Sequence, residues 1–82
     1  MRISIRKDDP GYHPMAYKCE AYLDGVKLRR CFTADEEKGE VYCYEEDENG
    51  KIFIDPEKPD CIKEIVLYGK VKVVVPFGFL DT

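Results

Sequence analysis

Apolar and polar residues alternate with a period of two along most of this chain, and helical periodicity is nearly absent. Side chains of a strand point alternately to its two faces, so this alternation predicts half-buried β-strands. The segment Phe32 to Ile54 shows the pattern best. It reads as three short strands with two tight connections, and it carries eight of the 17 acidic side chains.

Ile3 and Ile5 alternate with Arg2, Ser4 and Arg6, which predicts a first strand over residues 2–7. Asp8-Asp9-Pro10-Gly11 breaks it, and a loop runs through Tyr12-His13-Pro14. Tyr17, Cys19, Ala21 and Leu23 define a second strand. Asp24-Gly25 then turns the chain into a third, through Val26 and Leu28 toward Phe32. An Asp-Gly pair between two such runs signals a type I′ hairpin, whose central residues both need positive φ. Glu40 to Glu46 is a fourth strand, Asn49-Gly50 a second turn of the same class, and Lys51 to Ile54 a fifth strand with Ile52 and Ile54 inward. The stretch Asp55-Pro56-Glu57-Lys58-Pro59-Asp60 reads as a charged loop. Asp60 could cap a short helical turn near 60–64, but Ile65-Val66-Leu67-Tyr68 is β-branched and aromatic. Strands over 62–68 and 70–75 are therefore expected, with Pro76 ending the ladder.

Six to seven short strands in 82 residues imply a single all-β domain. The expected form is a small antiparallel barrel or sandwich of SH3-like or OB-like proportions, with an apolar tail over 76–82. A chain of this size buries roughly 60–65% of its unfolded surface, enough for one thin core. An enclosed ligand pocket of ~300 Å³ would hollow out much of it, which favours a surface or edge site. The longest apolar run near the C-terminus, Val73 to Phe77, is far short of the ~20 residues that span a membrane. The start MRISIRKDDP turns charged too soon for a signal peptide, so a cytoplasmic protein is expected.

No catalytic motif is apparent. His13 is the only histidine and Ser4 the only serine, and neither has a local partner for acid–base or nucleophilic chemistry. Cysteines at 19, 31, 43 and 61 are spaced by 12, 12 and 18, which fits no zinc pattern and no CxxC pair. They read as structural thiols, although neighbouring strands could bring Cys19 and Cys43 together as a disulfide. Glu45, Asp47, Asn49, Gly50 and Ile52 fall into an EF-hand register, but the twelfth position is Pro56, which supplies no carboxylate. No metal or cofactor is expected.

Two surface features remain. Asp35, Glu36, Glu37, Glu40, Glu45, Glu46, Asp47 and Glu48 sit in or beside two β connections, which could gather them at one end or face. Such a patch could dock a basic protein or imitate a phosphate array, against the plainer reading of a solvated face. Phe77, Phe79 and Leu80 would either fold back on the core or anchor a partner. Lys27 and Arg29 on one strand face, with Tyr22 across the hairpin, could hold single-stranded nucleic acid. A net charge of −4 and the lack of an RNP-like aromatic pattern argue against direct nucleic-acid binding.

The motifs Leu23-Asp24-Gly25-Val26, Ala34-Asp35-Glu36-Glu37-x-Gly39-x-Val41, Tyr44, Asp47-x-x-Gly50, Ile54-Asp55 and Gly69-x-Val71-x-Val73 together resemble small all-β proteins encoded by tailed phages and prophages. The resemblance covers about two thirds of the chain and implies a small all-β accessory or virion-associated protein, with no catalytic residues to transfer. A non-enzymatic interaction module with a protein partner or self-association is expected. The alternative expectation is an acidic inhibitor that mimics DNA toward a basic host protein.

Overall fold

The computed structural model describes residues 1–79. The chain forms strands β1 (Arg2–Ser4), β2 (Glu20–Leu23), β3 (Val26–Lys27), β4 (Cys31–Asp35), β5 (Glu40–Tyr44), β6 (Ile54–Asp55), β7 (Lys58–Ile62), β8 (Glu64–Tyr68) and β9 (Val71–Val74). Residues Ala16–Lys18 form a 3₁₀ turn, and there is no α-helix among the described residues. A four-stranded sheet has the order β1-β4-β5-β8, a three-stranded sheet the order β3-β2-β9, and β6 pairs with β7 alone. All of these pairings are antiparallel, and none of the sheets closes on itself.

The alternation explains how the two larger sheets share a core. Ile3 lies opposite Ala34, Ala34 opposite Val41, and Val41 opposite Leu67, so one apolar row crosses all four strands of the larger sheet. From the other sheet, the cross-strand pairs Ala21–Val73 and Leu23–Val71 pack into the same cluster. Val41, at 0% exposure, sits at its centre. Its burial contributes roughly 1.5–3 kcal/mol relative to an exposed side chain. Glu36 ties the sheets as well, since its carboxylate accepts the Val73 N–H at 2.9 Å.

The Asp24-Gly25 turn has φ of 51° and 85° at its two residues, as a type I′ hairpin requires. Asp24 also clamps the turn to the chain before β9, donating its N–H to Lys70 O and accepting the Lys70 N–H, both at 2.8 Å. The second turn departs from expectation. Gly50 has φ 76°, but Asn49 does not share the positive-φ region. The Asp47 carboxylate accepts the N–H groups of Asn49 (2.8 Å) and Lys51 (3.0 Å), and this capture favours an Asp-led turn with glycine alone left-handed.

Other boundaries move for local reasons. The first strand ends at Ser4 rather than Lys7, because the Ser4 hydroxyl accepts the Arg6 N–H at 3.1 Å and offers the backbone an alternative to the ladder. Cys19 precedes β2 instead of lying in it, because residues 16–18 coil into the 3₁₀ turn. The expected third strand divides at Arg30, whose φ of 59° lets the chain leave one sheet and enter the other. Ile54 does not face inward and is 56% exposed on the β6–β7 ribbon. The stretch around 58–62, expected as loop or helical turn, is strand β7, folded back by Asp55 accepting the Glu57 N–H. Pro59 is tolerated there because β7 is an edge. The division at Arg30 and this extra hairpin raise the count to nine strands among the described residues.

Gly39 has φ 65°, and a Cβ on it would lie 2.7 Å from the carbonyl oxygen of Gly69, whereas a Cβ on Gly25 would meet nothing within 4 Å. Gly25→Ala should therefore cost about 1 kcal/mol, the left-handed penalty alone. Gly39→Ala should cost about 2–3 kcal/mol, because it adds a steric conflict at the bond from Gly69 N–H to Gly39 O. Urea denaturation of both variants checks the order, and equal losses would contradict the packing described.

Candidate functional site

The outward face of the larger sheet is organised by two arginines. Arg2 donates from Nε and Nη2 to the two carboxylate oxygens of Asp9 at 3.0 and 2.8 Å, a bidentate fork. Its Nη1 donates to Asp35 at 3.3 Å and lies 3.8 Å from Glu40, while the guanidinium stands 5.4 Å from the centre of the Tyr42 ring. Arg6 lies 3.9 Å over the Phe32 ring and pairs with Glu64. The Phe32 ring in turn is 4.9 Å from that of Tyr44. A shallow groove of about 270 Å³ runs beside these residues. Both arginines that line it are paired with carboxylates of the same chain.

The carboxylates respond to this arrangement. The Arg2 fork holds Asp9 below the ordinary carboxylate range. The Lys38 N–H, followed by Arg2, does the same for Asp35, and Arg2 itself is raised mainly by its bonds to Asp9. Tyr42 is raised because its hydroxyl donates to Glu40 at 2.9 Å.

The expected gathering of acidic residues does not occur. Asp35, Glu36, Glu37 and Glu40 lie at one end of β5, and Glu45, Glu46, Asp47 and Glu48 follow its other end. Five extended residues separate the groups by roughly 16 Å, more than the ~8–10 Å over which exposed charges interact at ordinary salt. Several are also engaged: Asp35 and Glu40 by Arg2, Glu36 by Val73, Glu46 by Arg30 at 3.5 Å, and Asp47 by its own turn. Asp47 belongs to the EF-hand register, and its carboxylate faces the turn's own N–H groups.

The apolar tail divides. Phe79 is 6% exposed and its ring stacks on His13 with centroids 4.0 Å apart, so it folds back into the core. Phe77 is fully exposed. Leu80 lies outside the described residues. His13 also accepts the Met15 N–H at Nδ1, 3.0 Å, which places it in the support of the 3₁₀ turn.

Sequence reasoning did not single out the edge of the larger sheet. The bonds Glu45 N–H to Lys63 O and Gly69 N–H to Gly39 O flank the β5–β8 pairing. They place Glu64, Val66 and Tyr68 at its non-hydrogen-bonded positions. The backbone N–H and C=O groups of these three residues therefore point away from β5, toward the open side of the sheet. Tyr68 is exposed there and Val66 half-buried. The β-branched run 65–68 marked a strand, but only sheet order makes it an edge.

On the smaller sheet, Tyr22 lies directly between Lys27 and Lys72. Lys27 is paired with Glu20 at 2.8 Å, and β3 ends at Lys27, so Arg29 does not share its strand face as expected. Cys43 lies opposite Cys31, and the pairing of Cys43 with Cys19 that neighbouring strands could have allowed does not occur. Among the described residues no three His, Cys, Asp or Glu side chains cluster as metal ligands, and no helix is long and apolar enough to cross a membrane. Comparisons with protein-family models, with curated proteins and with solved structures give no match.

The Arg2 network sets a pH dependence with a definite sign. Asp9 and Asp35 have folded-state pKa values below their unfolded ones, so their stabilisation is present above about pH 4 and is lost as pH falls through the folded values. Arg2→Met should cost about 2 kcal/mol at pH 7, because it strands partly buried carboxylates. It should flatten the acid limb, so that the variant and the native chain converge near pH 2. Urea midpoints from pH 2 to 7 measure this, and parallel curves would remove Arg2 from the account.

Proposed function

We propose that this chain is a non-enzymatic protein-interaction module that binds an extended segment of a protein partner along β8, with the exposed Phe77 ring as a second, separate anchor. The observation that carries this reading is the open edge at Glu64, Val66 and Tyr68. A row of unpaired N–H and C=O groups is a template for an added strand, and native proteins usually blunt such an edge with charge, proline or cover. In β8 only Glu64 is charged, and it is held by Arg6. Apolar side chains at alternate positions beside Tyr68 and Val66 would give the added strand its specificity.

Two facing sheets, read as a small open sandwich rather than a barrel, leave this edge available. The resemblance of the turn motifs to tailed-phage and prophage proteins supports an accessory or virion-associated role, in the host cytoplasm or the particle. The DNA-mimic alternative is weakened by the parting and pairing of the acidic side chains. A mimic needs a regular array of free charges, and β5 divides this one.

Point substitutions test the proposal better than removal of the tail, which would also withdraw Phe79 from the core. Val66→Pro deletes an outward N–H at an edge, where proline is tolerated, and Phe77→Asp alters an exposed side chain. Affinity capture from the natural host, at low and high salt, should retain with the native chain one partner set that each substitution weakens at least about tenfold. The binding should resist salt. Retention by both variants, or loss only when Glu45, Glu46 and Glu48 are changed to Lys, would overturn the edge reading.

A further inference from the structure

Cys31 and Cys43 are direct cross-strand partners in the β4–β5 ladder. The bond from Tyr44 N–H to Arg30 O, 3.1 Å, flanks them and makes theirs a non-hydrogen-bonded pair. Such pairs bring Cα atoms to ~4.5 Å, with both side chains on one face. A disulfide needs a Cα separation of ~4.4–6.8 Å and Cβ atoms at ~3.5–4.5 Å, slightly closer than the pair usually stands. The register shift between Cys31 and Thr33 supplies slack at this point of the ladder. Both residues belong to the core side of the sheet. Neither Cys19, before β2, nor Cys61, exposed on β7, faces a cysteine across a strand pair.

The two thiols differ in access. Cys31 lines a groove of about 360 Å³ that opens between the sheets, walled also by Cys19, Leu28 and Phe32. Cys43 is 4% exposed and is not among the residues lining it. We propose that Cys31 and Cys43 form a redox-active dithiol that closes to an intramolecular disulfide by exchange with a low-molecular-weight disulfide such as oxidised glutathione. Cys31, reached through the groove, is the attacking thiol and Cys43 the resolving one.

The chemistry balances without a further reactant. The Cys31 thiolate attacks one sulfur of the external disulfide, whose S–S bond breaks and releases one thiolate with its electron pair. Cys43 then gives up its proton, its sulfur attacks Cys31 Sγ in the mixed disulfide, and the second small thiol leaves. The protein loses two hydrogens and the external disulfide is reduced to two thiols. The asymmetry suits these roles: the neighbouring Cys43 thiol draws Cys31 below the ordinary cysteine range against the effect of burial, while Cys43 is pushed up. A thiol that ionises readily attacks first, and the buried partner acts only once a mixed disulfide has formed beside it. A disulfide closed across slightly too wide a pair is strained and easily reduced again, which makes the closure reversible.

The test uses the full chain carrying Cys61→Ser, which removes the exposed thiol and leaves three. The reduced protein is titrated with glutathione redox buffers, quenched by alkylation and mapped by peptide mass. Alkylatable thiols should fall from three to one, with residues 31 and 43 in the linked peptides and the chain monomeric. Cys43→Ala should stop at one glutathionyl group on Cys31, and Cys31→Ser should slow reaction at Cys43 by at least about tenfold. If the buried Cys43→Ala variant does not fold, the mapped linkage in the parent chain decides. A Cys19–Cys43 linkage, or three thiols persisting under oxidising buffer, would overturn the proposal.

Discussion

The burial of Val41 is the constraint from which most of this structure follows. Its side chain stands where the apolar row of the larger sheet meets the inward residues of the smaller one. A domain of this size has one thin core and cannot spare that contact. Once Val41 faces inward, the period of two sends Tyr42, Tyr44 and Glu40 to the opposite face. It also places Cys43 inward, opposite Cys31. The outer electrostatics and the inner thiol pair are thus two consequences of one register.

Arg2 then secures what the core alone would leave loose. β1 is a three-residue edge strand with little apolar area of its own. Its arginine reaches Asp9 in the following loop, Asp35 at the end of β4 and Glu40 at the start of β5. Charge-assisted bonds of this kind persist because the partners are part-buried and fixed by their strands. Two of the clustered acidic residues, Asp35 and Glu40, are counter-charges for this arrangement, and Glu36 bonds the Val73 N–H instead. Glu45, Glu46, Asp47 and Glu48 follow the far end of β5, so the strand that builds the core also divides the acidic groups.

The legible parts of the sequence were those governed by local rules. Alternation marked the strands at 20–23, 40–44 and 71–74, a β-branched and aromatic run marked the one at 64–68, and Asp24-Gly25 marked its turn, because side-chain direction, β-propensity and positive φ are properties of a few adjacent residues. The errors came where a polar side chain competed with the ladder. Ser4 shortened the first strand, Asp47 changed the second turn, and Asp55 made a hairpin out of an expected loop. The candidate edge was hidden for a different reason. The run 65–68 looks the same whether it ends in the middle of a sheet or on its border.

By itself the sequence determined an all-β chain and the inward residues of its core strands, such as Val41, Cys43, Val71 and Val73, because alternation is set by neighbours in the chain. It also determined that Phe77 and Phe79 had to be explained, since exposed aromatic rings are costly. Only the tertiary structure decided which strand is an edge, that Phe79 is buried and Phe77 is not, and that Cys43 faces Cys31 rather than Cys19. These depend on sheet order and register, which arise from contacts between residues far apart in sequence. A period of two tells each residue its face and leaves open which strand lies beside it.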